Sequence, residues 1–400
     1  MSAGGVGGPL TGVRVLCVNN YLAGNYGPLL LALHGADVVK VETEQGEAGR
    51  SSRPLLPIGP DETCSHFELR MMRGMSSVCL DLQSAEGRAE FDDLVRAADV
   101  FWTNLRPDSA VRRGVEWTAL QQVNPRLVYA SLTGFGLPEN GQGEFDGVAA
   151  FDILIQGLAG LLGRNADPDG RPVYNGLPLA DQVSSLYGAF GVLLGLRQRD
   201  LTGRGCCVDV SMLDSMVAVN EKAVTMFGIE REVPVPRASA TTAPFGVYRT
   251  ADGWVSIAVG SDGVWKRFAA AVGPEVGRPD LASDALLRHG TGRVQHTVEI
   301  DVMVNEFVSR RTTAEVIAKL LANDVPAGPS LEVDELLATT YVSERGIVRY
   351  IEIGDSRYPA VMSPVLISGV EQELARPPGL GADRDRVIRD WKISNTGVDD

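Results

Sequence analysis

One acidic residue, Asp181, stands at the start of an otherwise apolar, small-residue stretch, NGLPLADQVSSLYGAFGVLLGL at residues 175–196. Two interpretations of this residue are open. Asp is a favoured N-cap, because its side chain accepts hydrogen bonds from the first helical turn and stabilises a helix by about 0.5–2 kcal/mol. Alternatively, a carboxylate held at the positive end of a helix, facing a pocket, can act as a nucleophile.

The helical stretch after Asp181 is rich in small side chains. Ser184 and Gly188 would let a second backbone or a ligand approach closely. From Leu186 to Leu196 the stretch is apolar on nearly all sides, which predicts a buried helix. A second acid, Asp152, opens the apolar stretch FDILIQGLAGLLG, where capping is again the default interpretation. A buried helix whose first turn carries an acid is a candidate reaction site.

The sequence lacks the motifs of several other common catalytic and cofactor-binding sites. The four histidines are scattered, no H-E-x-x-H motif occurs and the five cysteines form no C-x-x-C pair, so no metal site is predicted. No G-x-S-x-G or G-x-x-x-x-G-K-[ST] motif supports serine or nucleotide hydrolysis. Asn19 and Asn20 follow the first predicted strand where a dinucleotide site would need G-x-G-x-x-G, which argues against NAD binding.

Charge and composition exclude further classes of function. The 400-residue chain has a formal net charge of −14, which would repel nucleic acid and anionic lipid, so anionic small ligands would need local Arg or Lys. The N-terminal MSAGGVGGPL has neither region of a signal peptide, and no apolar run reaches the roughly 18–20 residues of a membrane span. Sparse, odd-numbered cysteines suit a reducing compartment, and we expect a cytoplasmic protein.

Strand and helix patterns alternate through the first third of the chain, which is typical of a parallel sheet with helices on both faces. The predicted strands are 13–18, 36–42, 76–82, 99–104 and 126–136, and the predicted helices between them include 27–35 and 84–98. The predicted fold class is therefore α/β with a doubly wound sheet.

The composition changes after residue 228. Residues 229–246 are rich in Pro, Ser and Thr, as linkers are, and a D-G step at Asp252 predicts a hairpin over 246–260. Helical patterns follow at 264–273, 298–311 and 313–325. These elements predict a smaller α+β unit. The end of the chain returns to strand-like alternation, and periodicity does not decide whether it rejoins the first domain.

Six blocks of the chain, in order, resemble the class III CoA-transferases, also called the CaiB/BaiF family. They are PLTGVRVLCVNNYLAGNYGPLLLALHGADVVKVE and the blocks that begin MMRGMSSVCLDL, NPRLVYASLTGFG, FDILIQGLAGLLG, PDGRPVYNGLPLADQ and GRGCCVDVSMLDS. The resemblance implies a Rossmann-like, CoA-binding large domain that begins with residues 1–228. It also implies a linker and small α+β domain at 229–335, a returning segment at 336–400, and two chains interlocked as a homodimer.

The resemblance also implies an activity, that of an acyl-CoA:carboxylate CoA-transferase. Its substrates would be an acyl-CoA donor and a carboxylic acid acceptor, with no tightly bound cofactor. Asp181 matches the family's nucleophile, which attacks the thioester to give a mixed anhydride and CoA thiolate. The thiolate then forms an aspartyl-CoA thioester, and a second acid collects CoA by the reverse steps. Water must be excluded, because each intermediate hydrolyses.

Residues that bind CoA are implied by the same match. Basic side chains pair well with phosphate oxygens, and Lys40, Arg50 and Arg113 are nearby candidates for that role. The residues expected at the CoA site are Tyr21, Ala23, Arg73, Asn104, Leu105, Arg106, Arg112 and Asp152.

The sequence departs from the family pattern at several positions. Thr43 and Met75 stand where the family usually has Arg and Lys, so the CoA phosphates would be anchored differently. Leu22 replaces the glutamine of formyl-CoA transferase, which favours a more apolar acyl group. Phe151 replaces the histidine base of the family's α-methylacyl-CoA racemases, which disfavours racemisation. A racemase, a non-catalytic CoA-binding protein and an NAD-dependent dehydrogenase remain the alternatives.

Overall fold

The computed structural model describes residues 8–391 except 59–62, 166, 168, 233–241 and 354–355. The chain forms two compact units, Met1–Thr225 together with Arg345–Asp400, and Met226–Glu344. Residues 233–241 of the predicted linker and residues 392–400 of the predicted returning segment lie outside the described residues.

The first unit is built around a parallel sheet with helices between its strands. In chain order its elements are β1 (Arg14–Val18), α1 (Tyr21–Leu33), β2 (Asp37–Glu42), β3 (Leu55–Pro57), β4 (Thr63–Ser65), α2 (His66–Met71), β5 (Met75–Cys79), α3 (Ala85–Ala97), β6 (Val100–Thr103), α4 (Pro107–Arg113), α5 (Trp117–Val123), β7 (Val128–Thr133), α6 (Asp152–Leu158), α7 (Leu179–Thr202), β8 (Cys206–Ser211) and α8 (Met212–Val219). Helix α9 (Glu221–Glu230) then crosses the boundary between the units.

The six-stranded sheet has the order β5-β2-β1-β6-β7-β8, and every neighbouring pair is parallel. This is a doubly wound order, in which the direction of winding reverses between β1 and β6. The predicted α/β class with a parallel sheet is confirmed. At such a reversal the loops after the two central strands turn to opposite faces, which leaves a crevice at the carboxyl edge of the sheet.

Both faces of the sheet are covered, which explains why its strands are nearly continuous apolar runs. Alternate residues of each strand point to opposite faces. Val15 and Trp102 pack with α1 and α7 on one face. Leu16 and Phe101 pack with α3, α4 and α5 on the other face. The helix that carries Asp181 therefore lies on the opposite face from α4.

The sequence predicted that this helix is buried on all sides, but α7 is buried on one side only. Ser184 and Val192 on one side are fully buried, where α7 packs along α1, β7 and β8. On the other side Phe190 is 56% exposed and Leu194 is 55% exposed. Among the described residues α7 alone is long and apolar enough to cross a membrane, with 44% of its most apolar window buried. No uninterrupted apolar run of that length occurs in it, because Asp181 and Arg197 interrupt the apolar residues. The side of α7 that packs against the sheet lies in the core.

The second unit contains a three-stranded antiparallel sheet, β11-β10-β9, packed with helices. Its core includes the buried side chains of Trp265, Phe268 and Phe307. Its elements are β9 (Phe245–Arg249), β10 (Trp254–Ala258), α10 (Asp262–Val272), α11 (Gly290–Gln295), α12 (Thr297–Val308), α13 (Thr313–Leu321), β11 (Ala327–Pro329), α14 (Val333–Leu337) and α15 (Thr340–Arg345). The predicted hairpin is formed by β9 and β10, and the three predicted helices correspond to α10, α12 and α13.

The described residues after Arg345 belong to the first unit. Their elements are β12 (Val348–Ile353), β13 (Ser356–Val361) and α16 (Arg384–Trp391), and the two strands pair with each other. Trp391 is buried against the α3 face of the parallel sheet, and its indole Nε1 donates to Asp37 Oδ2 over 2.6 Å. Tertiary contacts therefore place this segment with the first unit, a question that periodicity did not decide.

Candidate active site

A cavity of about 1350 Å³ opens at the carboxyl edge of the parallel sheet, where β1 and β6 diverge. Its lining includes residues 20–23 after β1, residues 104–109 after β6, residues 132–135 at the end of β7, and Met212 after β8. Open α/β sheets bind ligands at this point of reversal. The loops after four strands thus converge on one cavity.

Asp181 lines this cavity as the third residue of α7. The N-cap of the helix is Pro178, which provides no side-chain cap. The capping interpretation of Asp181 is therefore wrong. Among the described residues its carboxylate has no hydrogen-bond or ion-pair partner. The side chain is consequently available to a ligand in the cavity.

The start of α7 is capped by a different acid, Asp152, which is the first residue of α6. Its Oδ1 accepts from the backbone N–H of Ala180 over 2.8 Å and of Asp181 over 3.3 Å. Its Oδ2 accepts from Gln156 Nε2 over 2.7 Å and from the Tyr174 hydroxyl over 3.0 Å. Asp152 therefore belongs to α6 but caps the neighbouring helix α7. The carboxylate of Asp181 takes no part in this cap.

The surroundings of Asp181 favour its protonated form. Burial, followed by the negative charge of Asp152, raises the pKa of Asp181 from 3.8 to about 7. Burial acts by removing water from the charged form, and a nearby like charge acts in the same direction. Close to neutrality the site holds a carboxylate that is weakly solvated and unusually basic, and such perturbed groups in a cavity are candidates for catalysis.

The cavity wall after β1 contains a residue in the left-handed region, Tyr21, with φ of 56°. Its N–H donates to Glu47 Oε2 over 2.9 Å, and its carbonyl accepts from Asn25 Nδ2 over 2.7 Å. Glu47 in turn forms a buried ion pair with Lys40, with Nζ and Oε1 3.2 Å apart. A strained backbone of this kind persists where its surroundings fix it. Lys40, a basic candidate for CoA phosphate, is instead fully buried in this network.

Asn104 joins the two loops on either side of the reversal. Its side-chain Oδ1 accepts from the N–H of Asn20 over 2.9 Å, and its Nδ2 donates to the carbonyl of Asn20 over 2.8 Å. A Cβ at Gly24 would lie 2.7 Å from Asn104 Oδ1, so a side chain there would disturb this bridge. Asn104 lines the cavity, and both ends of its amide are bonded to backbone.

Seven of the nine predicted site residues lie together in the lining. They are Tyr21, Ala23, Asn104, Leu105, Arg106, Asp152 and Asp181.

The other two predicted residues, Arg73 and Arg112, do not line the cavity. Arg73 is 2% exposed, and its Nη2 donates to the carbonyl of Val361 over 2.6 Å, so it is buried against β13. Arg112 points to solvent and pairs with Asp108, with Nη1 and Oδ2 2.7 Å apart. The next residue, Arg113, lines the cavity instead.

Sequence reasoning missed several contributors to the site. Tyr174 and Gln156 orient the carboxylate of Asp152, and Glu47 holds the loop of Tyr21. Tyr174 and Glu47 act on segments more than 20 residues away, so no local pattern marks them. Gln156 lies one helical turn after Asp152 in α6, and that i, i+4 spacing is the signal that could have found it.

The chain is similar to known proteins along nearly its whole length. A family model described as CoA-transferase family III matches residues 10–384. The succinate–glutarate CoA-transferase of Agrobacterium fabrum is 30% identical over 389 residues, which are 95% of each chain. The succinyl-CoA–L-malate CoA-transferase beta subunit of Chloroflexus aurantiacus is 32% identical over 396 residues, covering 96% of this chain and 94% of that one. The crystal structure of a CaiB/BaiF family protein from Brucella suis matches with a TM-score of 0.82 and 27% identity, over 96% of this chain and 100% of that chain.

Proposed function

The chain belongs to CoA-transferase family III, and on that premise we propose that it moves CoA from an acyl-CoA to a carboxylic acid with Asp181 as the nucleophile. One observation carries this assignment. The Asp181 carboxylate has no partner among the described residues, lines the cavity at the reversal of the sheet, and has a pKa raised to about 7. A weakly solvated carboxylate of raised basicity is suited to attack a thioester carbonyl.

The proposed reaction has four steps. An Asp181 oxygen attacks the thioester carbonyl, the C–S bond breaks, and a mixed anhydride and CoA thiolate result. The thiolate attacks the aspartyl carbonyl, which releases the first acid and leaves an aspartyl-CoA thioester. The acceptor carboxylate then displaces CoA to form a second anhydride. Finally the thiolate attacks the acyl carbonyl of that anhydride and regenerates the Asp181 carboxylate. Covalent catalysis of this kind retains the energy of the thioester.

The nucleotide end of CoA is proposed to lie toward α4. Arg106 and Arg113 line the cavity there, and arginine binds phosphate oxygens through charge-assisted hydrogen bonds. Tyr21, Ala23 and Leu105 would contact the CoA chain between the phosphates and the thioester. In a protein of net charge −14, such a local pair of cations is required to attract CoA.

A racemase is less well supported by the same cavity. Removal of an α-proton and its return on the other face need two groups of suitable pKa. Phe151 lines the cavity with 68% of its surface exposed, where the resemblance implies that racemases have histidine. A phenyl ring cannot exchange a proton, so the transferase accounts better for this site.

The active form is proposed to be an interlocked homodimer in the cytoplasm. The exposed side of α7, with Phe190 and Leu194, is an apolar surface that a second chain would remove from water. The five cysteines are free thiols, as a reducing compartment requires.

The nucleophile can be tested by trapping. The full-length protein is incubated with a panel of acyl-CoA thioesters and hydroxylamine, and the modified peptide is mapped by mass spectrometry. We expect a hydroxamate at Asp181 that is absent from Asp181→Ala, which should also lose transfer. Asp146→Asn, an exposed acid of the same cavity lining, serves as the matched control and should retain labelling of Asp181. Modification elsewhere, or transfer by Asp181→Ala at the wild-type rate, would show the assignment to be wrong.

A further inference from the structure

Tyr21 has a backbone conformation that its residue type disfavours. Its φ of 56° lies in the left-handed region, where an L-residue with a bulky side chain is an outlier. The preceding residue, Asn20, is extended, so the chain turns into α1 at Tyr21 itself. Strained residues of this kind persist only where their surroundings fix them, and they are concentrated at functional sites. Tyr21 lines the cavity that contains Asp181.

A buried clamp, made of Asn25, Lys40 and Glu47, fixes this conformation. The Tyr21 N–H donates to Glu47 Oε2 over 2.9 Å, and its carbonyl accepts from Asn25 Nδ2 over 2.7 Å. Asn25 Nδ2 also donates to Glu47 Oε1 over 3.1 Å. Lys40 Nζ donates to Asn25 Oδ1 over 3.0 Å and lies 3.2 Å from Glu47 Oε1. Asn25 and Lys40 are fully buried, and Glu47 is 6% exposed. The clamp is therefore complete within one chain, and it holds the backbone of Tyr21 without engaging its side chain.

The start of α1, where Tyr21 lies, is next to the start of α7. The two helices lie side by side, and both begin at the carboxyl edge of the sheet. Gly27 N–H donates to Ser185 Oγ over 2.7 Å, and a Cβ on Gly27 would lie 2.9 Å from the Ser185 carbonyl oxygen, so the backbones touch there. One helical turn back from this contact are Ala23 on α1 and Asp181 on α7. Ala23 shares a buried cluster with the residue before Asp181. Tyr21, two residues before Ala23, thus enters the cavity beside the carboxylate.

We propose, resting on the function proposed above, that Tyr21 is a catalytic residue whose hydroxyl donates a hydrogen bond to the thioester carbonyl oxygen, and that Glu47 is the residue that positions it. The Tyr21 side chain is 56% exposed, and in the described part of the chain its hydroxyl has no hydrogen-bond partner. When an Asp181 oxygen bonds to the carbonyl carbon, an electron pair of the C=O bond moves to the carbonyl oxygen. The hydroxyl stabilises that negative charge and keeps its own proton. The carbonyl forms again as the C–S bond breaks and CoA thiolate leaves. A donor fixed in place before the reaction stabilises developing charge without reorganisation, and this is the use of the strained backbone.

The hydroxyl is tested with Tyr21→Phe, which keeps the ring. The full-length wild type and the variant are each given acetyl-, butyryl- or succinyl-CoA with hydroxylamine, and CoA release and the hydroxamate at Asp181 are measured. We expect kcat to fall about 100-fold, as on loss of other preorganised donors, and KM to change by less than about threefold. Wild-type kcat in Tyr21→Phe, with Asp181 labelled in the wild type, overturns this proposal alone. Failure of all three thioesters to label Asp181 in the wild type overturns the proposed function as well.

The strain is tested by truncation. Tyr21→Ala and Tyr21→Gly both remove the side chain, but only glycine adopts a positive φ without a steric penalty. We expect both variants to lose at least as much activity as Tyr21→Phe, and Tyr21→Gly to have the higher Tm. Asp324→Gly, at a φ of 52° in the second unit, is the matched control and should transfer CoA at the wild-type rate. A Tm for Tyr21→Gly at or below that of Tyr21→Ala means that Tyr21 is not strained, and overturns the proposed use of its backbone.

The positioning role of Glu47 is tested by its coupling to Tyr21. If Glu47 acts through the Tyr21 hydroxyl, Glu47→Gln should lower kcat only where that hydroxyl is present. We expect a loss of about tenfold in the wild-type background and of less than about twofold in the Tyr21→Phe background. A general structural defect would lower kcat equally in both backgrounds, and that result overturns the positioning role.

Discussion

Replacing Asp181 by Asn should stabilise the fold at pH 8 while it abolishes CoA transfer. The pKa of this carboxyl is raised from 3.8 to about 7 in the folded chain, first by burial and then by Asp152. Since each tenfold change in proton affinity corresponds to about 1.4 kcal/mol, ionisation of the group costs the folded state roughly 4 kcal/mol at most. Partial exposure to solvent screens this cost, and we expect about 2 kcal/mol.

The sign of the pH dependence follows from proton binding. Between pH 3.8 and about pH 7 the folded chain keeps a proton on Asp181 that the unfolded chain has lost. Stability associated with the protonated group is therefore complete below about pH 4 and is lost as the pH rises through about 7. An asparagine does not ionise, so the stabilisation by Asp181→Asn should grow over this interval and become constant above it.

This effect is measured by urea unfolding of the wild type and of Asp181→Asn between pH 5 and pH 8. A transfer assay is run at each pH. Asp146→Asn, an exposed acid in the same cavity, is the control and should change the free energy of unfolding by less than about 0.5 kcal/mol. If Asp181→Asn is no more stable than the wild type at pH 8, or if its gain is the same at every pH, ionisation of Asp181 does not cost the folded state stability. Retained transfer by Asp181→Asn would refute the assignment of the nucleophile.

Three further results are expected. Asp152→Asn should move the midpoint of the pH profile of kcat/KM below about 7, because it removes the second cause that raises the pKa of the nucleophile; an unchanged or higher midpoint would contradict this. Glu47→Gln removes the ion-pair partner of the buried Lys40 ammonium and should destabilise the fold by about 3 kcal/mol in urea unfolding; wild-type stability would show that the ion pair does not stabilise the fold. Gly188→Ala puts a Cβ 2.5 Å from Trp102 Cη2 and should cost about 1–3 kcal/mol in thermal unfolding; an unchanged Tm would mean that α7 can move away from the sheet.

Local pattern predicted five of the six strands of the parallel sheet and the hairpin of the second unit. The alternation of apolar strands with helices predicted β1, β2, β5, β6 and β7, because strands covered on both faces are apolar throughout. The D-G step at Asp252 predicted the hairpin of the second unit, since its backbone suits a tight turn. Hydropathy could not predict which side of α7 faces the sheet, and the expectation of a fully buried helix was wrong for that reason.

Within the site, the placement of most single residues in the cavity was predictable and their partners were not. Asp181 was identified by its place among ordered blocks, and the structure puts it in the cavity at the reversal of the sheet. Basic residues were poorly assigned from sequence. Arg73 is bonded to Val361, and Lys40 is paired with Glu47. An arginine or lysine has the same sequence signature whether it binds a ligand or an acid of its own chain.

By itself the sequence determined the class of fold and the alternation of its elements, and its resemblance to a family predicted Asp181 as the carboxylate that attacks a thioester. Only the tertiary structure decided that Asp152 caps α7 in place of Asp181, and that the cations of the cavity lie on the other face of the sheet. The physical reason is that capping, desolvation and charge repulsion depend on distances between groups. Those distances are set when strands far apart in the chain become neighbours.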